Sequence, residues 1–378
     1  MQLDTFSFDA ADGWSVARFP DLDSEHTLVL IFGAPMYLDR PEVLAELIKA
    51  YPRSKLIGCS TAGEIFGPFV NDLSLSVAVV RFERSRVAVV STEIRDATES
   101  LAAGERIARE LAGPDLCGVF VLSDGLNVNG SELVKGVTSA VPANVVVTGG
   151  LAADGDRFHR TWVIRDGAAA TGIITATGFY GESLRIGHGS RGGWDAFGPE
   201  RRITRAQGNI LYELDGRPAL ALYKEYLGER ASGLPATGLL FPLSIRKDTN
   251  DARQLVRTIL AVDESNQSLT FAGDVPRGYL AQLMRANFDR LVGGASAAAD
   301  QARGAHDTAP MLAVAISCVG RRLVLGERIE EETEITLERL PPGARQVGFY
   351  SYGEISPYTS GTCDLHNQTM TLTTWSET

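Results

Sequence analysis

Cysteine is scarce in this chain: Cys59, Cys117, Cys318 and Cys363 are scattered over 378 residues, with no Cys-x-x-Cys pair. Such spacing supplies neither a disulfide framework nor a structural zinc site, and it fits reduced thiols in a cytoplasmic protein. Histidine is scarce as well, five in all, with no His-Glu-x-x-His and no Cys/His cluster. No run of about 18 apolar residues occurs, so a membrane-spanning helix is not expected. The first residues, Met1 to Phe6, lack the basic and apolar regions of a secretory leader. Positive charge is in deficit, 36 Lys and Arg against 47 Asp and Glu, for a net charge of −11. An acidic chain is poorly suited to phosphate backbones or anionic lipid, so no nucleic acid or membrane partner is expected. A Gly-Lys-Ser/Thr phosphate loop is missing, and Gly149-Gly150 lacks the spacing of a dinucleotide fold.

What is present is an ordinary globular composition, 44% hydrophobic and 22% charged, in a chain long enough for a full core. One large or two medium domains are expected. The most informative feature is a repeated turn. Ser60-Thr61-Ala62-Gly63-Glu64-Ile65 follows the apolar run Leu56–Gly58, and a shortened copy, Ser351-Tyr352-Gly353-Glu354-Ile355, follows Gly348-Phe349-Tyr350. Alternating segments come after each, Leu73–Val80 and Gln368–Thr374.

The wider pattern is strand, helix, strand, Gly-rich polar turn, then antiparallel strands. It is first read at residues 27–32, in a helix with Val43, Leu44, Leu47 and Ile48 as its apolar stripe, and at Leu56–Gly58. Asp39-x-x-Glu42 has capping-box form at the start of that helix. The pattern recurs at Gly118–Leu122, Ser131–Val141 and Asn144–Thr148, ending in Gly149-Gly150-Leu151-Ala152-Ala153-Asp154-Gly155. A third copy runs through Met311–Ser317 and Gln346–Tyr350. Leu73–Arg81 and Arg86–Thr92 are expected to form a hairpin. Residues 187–209 read as a long irregular loop, and Tyr279–Val292 as an amphipathic helix carrying Leu280, Leu283, Met284, Phe288 and Leu291. The alternation predicts an α/β protein of duplicated mixed-sheet modules, in two domains at 1–215 and 216–378. Polar turns at sheet ends are where α/β folds bind ligands.

Two readings stand for Glu64 and Glu354: a facing carboxylate pair, or two separate acceptors of backbone N–H groups, each within its own turn. His188, in Gly187-His188-Gly189-Ser190, sits between glycines that leave its ring sterically open to an iron or small ligand, with Trp194 and Phe197 as walls. The alternative is a loop histidine bonded to backbone. His366 reads as a turn residue, and His26, His159 and His306 as surface groups. Cys59, beside Ser60 and Thr61, and Cys318, beside Ser317, are nucleophile candidates at strand ends, yet no histidine stands in a neighbouring motif as base. Buried small residues are the plainer reading of both. Arg321-Arg322 is either a carboxylate fork or a solvated basic pair.

Ile57-Gly58-Cys59-Ser60-Thr61-Ala62-Gly63-Glu64 resembles the hallmark of the FIST N-terminal domain. Ile316-Ser317-Cys318-Val319-Gly320-Arg321, Gly348 to Ile355, Leu365-His366-Asn367-Gln368-Thr369 and the Glu213 to Leu220 segment resemble the FIST C-terminal domain. The resemblance covers nearly the whole chain. It implies a cytosolic sensory protein that binds a small ligand and acts through a signalling partner. Stand-alone bacterial members are similar to nitric-oxide-sensing haemoproteins that regulate a histidine kinase, which implies haem as cofactor and makes His188 the matching ligand candidate. Others are expected to sense amino acids or other small metabolites. The candidate ligand-binding set is Cys59, Ser60, Thr61, Glu64, His188, Trp194, Ser317, Arg321, Tyr350, Ser351 and Glu354. Three function classes stand at this point: haem-based gas sensor, non-haem metabolite sensor, and an enzyme using the Cys/Glu turns.

Overall fold

A computed structural model describes residues 1–251, 255–304, 310–358 and 361–378. Three α/β modules form the body of the protein. The first contains β1 (Gln2–Asp9), β2 (Thr27–Gly33), α1 (Pro41–Ala50), β3 (Lys55–Ser60), the hairpin β4 (Glu64–Phe66) and β5 (Phe69–Asn71), and β6 (Ser74–Arg81). The second contains β7 (Arg86–Glu93), α2 (Ser100–Leu111), β8 (Leu116–Ser123), α3 (Gly130–Ala140), β9 (Val146–Leu151), β10 (Val163–Arg165), β11 (Ala168–Ala170) and β12 (Ile173–Tyr180). The third opens with β13 (Leu184–Arg191). An insertion interrupts it; among the described residues its one α-helix is α4 (Ala219–Leu227) and its strands form a nine-stranded sheet spanning Asp195 to Arg285. The module resumes with α5 (Phe288–Arg303), β14 (Leu312–Cys318), α6 (Val319–Leu325), α7 (Ile329–Glu338), β15 (Arg345–Ser351), β16 (Gly353–Pro357), β17 (Cys363–His366) and β18 (Met370–Glu377).

The sheets share one order. They run β11-β10-β3-β2-β6-β1, β17-β16-β9-β8-β12-β7 and β5-β4-β15-β14-β18-β13, the first extended by the two-residue strand Gly13–Trp14. In each, the two strands flanking the module's helix are parallel and the next is antiparallel. The hairpin that follows each turn is handed to a neighbour. Strand β4 pairs with β15, β16 pairs with β9, and β10 pairs with β3, closing a cycle. The repeated turn is therefore where the chain leaves one sheet for the next, and the unit is present three times. Hydrogen bonds cross the junction expected at 215/216: β13 pairs with β18, and β4 with β15.

The central strands explain why both faces are covered. In β2, Leu28, Leu30 and Phe32 point to an inner core shared by the sheets, and Val29 and Ile31 pack toward Leu44 and Leu47 of α1. Phe120 and Leu122 of β8, and Leu312, Val314 and Ile316 of β14, reach the same inner core. Strands apolar on both faces read as unbroken hydrophobic runs. Phe32 stacks on Phe349 at 4.8 Å and Phe120 meets Trp375 at 5.3 Å, tying the modules together.

Four local expectations are corrected. Strands β6 and β7 do not form a hairpin but enter different sheets. Phe82 is buried at the changeover, and the Glu377 carboxylate accepts from Glu83, Arg84 and Ser85 N–H at 2.8, 2.9 and 2.7 Å, fixing the connection. Tyr279–Val292 is not one helix. Leu280–Arg285 is a strand paired with Leu243–Arg246, and α5 begins beyond Asn287, whose side chain accepts from Arg290 N–H at 3.3 Å. Sheet pairing overrides a helical period here. Residues 187–209 are mostly strand, beginning with β13, rather than loop. The expected capping box at Asp39 is not used either: Pro41 occupies the first turn of α1 and the cap residue, Arg40, makes no side-chain capping bond.

Candidate functional site

The three turns meet at one end of the modules and bond in a ring. Ala153 N–H donates to Ser60 O at 2.9 Å, Ala62 N–H to Tyr350 O at 2.8 Å, and Tyr352 N–H to Leu151 O at 3.4 Å. Just beyond the first strand of each unit the backbone is also equivalent: Ala34, Asp124 and Cys318 N–H donate to Ser74, Ile173 and Thr369 O. The residue preceding each of those acceptors is left-handed, with φ of 58° at Leu73, 65° at Gly172 and 62° at Gln368. Glycine accepts that conformation freely; leucine and glutamine hold it under strain.

Glu64 and Glu354 serve the same local purpose. Glu64 accepts from the Thr61 hydroxyl, from Ser74 N–H at 3.0 Å and from Ser74 Oγ at 2.8 Å. Glu354 accepts from Ser351 Oγ at 2.7 Å, Thr369 N–H at 3.2 Å and Thr369 Oγ1 at 2.9 Å. In the middle module Asp124 takes this role, accepting from Gly172 N–H at 3.1 Å and Thr161 Oγ1 at 3.0 Å. The facing-pair reading of the two glutamates is therefore replaced by separate turns. Burial raises both carboxyls against the pull of these donors, Glu64 to about 7 and Glu354 to about 8.

Ser317, Arg321 and Tyr350 are brought together by a residue the sequence did not single out. Glu332 on α7 accepts from Ser317 Oγ at 2.9 Å, Tyr350 OH at 2.7 Å and Arg321 Nε and Nη2 at 3.0 and 2.6 Å. Arg321 and Glu332 are both fully buried. Glu332 stands in the acidic stretch Glu330–Glu334, which carries no signal separating the one buried carboxylate from its solvated neighbours.

The remaining candidates disperse. Cys59 and Cys318 are buried, and desolvation drives the Cys59 thiol well up and the Cys318 thiol to about 12, so neither is poised as a thiolate. Ser60 Oγ accepts from Trp162 N–H at 3.0 Å. Trp194 packs with Met284, Leu291 and Leu325, while Phe197 packs on the core of the insertion, so they wall no common pocket. His366 is buried, with Nε2 2.9 Å from Ser356 O. His26 and His159 are exposed, and His306 lies outside the described residues.

His188 lies in β13 opposite Thr373 of β18. The openness expected from its glycines is corrected: a Cβ at Gly187 would overlap the Ala302 carbonyl, and one at Gly189 the Ala298 carbonyl, both on α5. The glycines admit a helix backbone. The His188 ring Nδ1 is enclosed without a hydrogen-bond partner, and burial lowers its affinity for a proton. A neutral imidazole suits iron chemically; side chains alternate along a strand, so α5 packs on the face of β13 opposite the His188 ring.

A cleft of about 340 Å³ does open at the ring of turns. It is bordered by Thr61–Glu64, Asp72 and Leu73 of the first module, Gly155–Arg157 of the second, and Val319, Arg322 and Leu323 of the third. Arg322 donates to the Ala62 carbonyl and to Asp72 at 2.9 and 2.6 Å. Arg157 is exposed and bonds to no acid among the described residues. Asp72 and Asp156 supply negative charge on the same walls. Asp72, Arg157 and Arg322 become a constellation only through the folded turns. Larger depressions of about 460 and 570 Å³ lie along the β7 and β10–β11 region and touch neither Thr61–Glu64 nor Arg322.

These features define an α/β protein of pseudo-equivalent modules that converge on a small charged cleft. The chain matches the FIST N domain over residues 27–217 and the FIST C domain over residues 219–357, and it belongs to the FIST family. FIST domains are small-ligand sensing modules of signal transduction. Among curated proteins it is similar to the uncharacterized protein MJ1623 of Methanocaldococcus jannaschii, 24% identical over 339 residues. That alignment takes in 80% of this chain, which spans only 60% of the relative's length. Among solved structures, the crystal structure of cyanuric acid hydrolase from A. caulinodans aligns with 93% of this chain and 89% of its own at 9% identity, with a TM-score of 0.33, a likeness that carries no argument. No helix among the described residues is long and apolar enough to cross a membrane.

Proposed function

We propose that this protein is a small-ligand sensor whose ligand occupies the Thr61–Glu64, Arg157 and Arg322 cleft. One observation carries the reading: turns or helices of all three modules border a single cleft that sets two guanidinium groups among carboxylates. Guanidinium groups hold carboxylates through forked bonds. Asp72 and Asp156 suit an ammonium group, and Leu73 and Leu323 leave an apolar rim. The set fits a small charged metabolite, with amino acids the first class to screen. The signal passes to a separate cytoplasmic protein of the histidine kinase kind.

Haem with nitric oxide as signal has less support, because His188, its candidate iron ligand, does not border the cleft on which the three modules converge. Catalysis by Cys59 or Cys318 has less support too, because both thiols are buried and neither has a histidine bonded to it among the described residues. The test is a thermal-shift and calorimetric screen of amino acids and short carboxylic acids on wild type and Arg157→Ala. A ligand at 100 times its Kd stabilises by about 2.7 kcal/mol. Stabilisation of wild type, lost in an Arg157→Ala protein that melts normally when unliganded, is the expected result. A Soret band after purification with added haem, absent in His188→Ala, would overturn the reading in favour of a haem sensor.

A further inference from the structure

Helix α6 touches two regions at once. One side gives Val319, Arg322 and Leu323 to the cleft, spaced so that they share a helix face. The adjacent residue, Arg321, points the other way. Its guanidinium donates to the carbonyls of Gly192 and, at 2.9 Å, Leu291. Gly192 follows the last residue of β13, where the chain leaves for the insertion, and Leu291 lies in the first turn of α5, where it returns. One side chain thus holds both crossings. Leu325, at the end of α6, packs with Trp194, Met284 and Leu291 of the same crossings. Gly320 abuts the Gln368 side chain, whose Nε2 donates to Leu239 O in the insertion at 3.1 Å.

The two sides differ in strength. Arg321 is sealed against Glu332 and the crossing carbonyls, a geometry that a small ligand does not compete with. Arg322 is a quarter exposed and its partner Asp72 two-thirds exposed, so that pair is solvent-screened and exchangeable. A ligand carboxylate entering the cleft would compete with Asp72 for Arg322. Any displacement of α6 then reaches Gly192 and Leu291 through Arg321, because the buried clamp moves with the helix.

We infer that α6 is a lever that reports occupancy of the cleft to the inserted nine-stranded sheet, with the Arg322–Asp72 pair as its input and the Arg321 clamp on Gly192 and Leu291 as its output. This rests on the cleft being the ligand site, and it makes the insertion the part of the protein whose mobility or placement a signalling partner reads. A ligand shifts such an equilibrium only by its differential contacts with the two states, and exchange of Asp72 for a ligand carboxylate is such a difference.

The experiment needs no ligand. Asp72→Asn imitates loss of the input pair, and amide hydrogen exchange is followed by mass spectrometry in the full-length protein. Exchange at residues 192–197 and 238–243 is expected to quicken at least threefold, with the insertion's far strands, residues 205–214, unchanged. The control Arg205→Gln, which breaks an exposed ion pair with Glu213 inside the insertion, is expected to leave 192–197 unchanged. Exchange identical to wild type at 192–197 in Asp72→Asn overturns the lever. In the reverse direction, Arg321→Lys is expected to quicken exchange at Ala62 and Gly63 on the cleft side. If Arg321→Lys does not fold, the Asp72→Asn result decides alone. Failure to find a ligand in the metabolite screen would reject the cleft as the sensor site while leaving this exchange result intact, so the two readings fail separately.

Discussion

Replacing Glu332 by Gln tests the buried polar cluster most directly. The change keeps the shape of the side chain, its amide can still meet Ser317 and Tyr350, and it removes the charge that Arg321 faces at 2.6 Å. Arg321 is then a buried cation without a counter-charge, and breaking such a pair typically costs about 3–5 kcal/mol. Total stability of a folded protein is about 5–15 kcal/mol, so the variant is expected to fold with a much reduced margin. Urea unfolding followed by tryptophan fluorescence reads the loss as a lower midpoint at an unchanged slope. Adding Arg321→Met to Glu332→Gln removes the stranded charge. The double variant is expected to recover about 2 kcal/mol relative to the sum of the single losses, within the range of coupling between contacting residues. Recovery is incomplete, because the Gly192 and Leu291 carbonyls still lose their donor. A loss below about 1 kcal/mol in Glu332→Gln, or strict additivity in the double variant, would refute a buried ion pair at this position.

The raised carboxyls give a signed pH dependence. Glu64 and Glu354 hold their protons to about 7 and 8 in the folded chain, against an ordinary 4.5. Their contribution to stability is fully present below pH 4.5 and is lost as pH rises through 7 and 8, so Glu354→Gln should flatten the decline between pH 5 and 8.5 in denaturant titrations. A decline unchanged in that variant would place the proton elsewhere. Glu64→Ala strands the Ser74 N–H and two hydroxyls, and should lower stability by roughly 1–3 kcal/mol or more in the same assay. Gly189→Ala presses a methyl into the Ala298 carbonyl of α5 and is expected to cost about 1–3 kcal/mol by overpacking, more than His188→Ala does. The opposite ranking by thermal melting would mean that β13 does not pack on α5 as described.

Much of the module was legible before folding was considered. The runs Thr27–Phe32, Gly118–Leu122 and Met311–Ser317 are apolar at every other position and in between, and only a strand covered on both faces needs that. The Gly-Glu turns declared themselves because a carboxylate three residues after a hydroxyl residue has a local donor to accept from, and local geometry follows local sequence. The helices α1 and α3 were readable for the same reason: period and length lie within a dozen positions.

The partners of each strand and the chemistry of the cleft were decided only in three dimensions. Nothing near Glu64 states that its strand joins Phe349, nearly 300 residues away, and nothing near Arg86 forbids a hairpin with Leu73–Arg81. Those choices depend on which sheet edge is free and which inner face a side chain fills. Gly187 and Gly189 show the same limit: two glycines signal close approach, but that a helix backbone is what approaches is a property of α5, more than a hundred residues away. Arg157, Asp72 and Arg322 are unremarkable one by one. They form a cleft because three turns are handed from sheet to sheet and brought together at one end. Electrostatic partnership depends on distance in space, which the linear order of the chain does not carry.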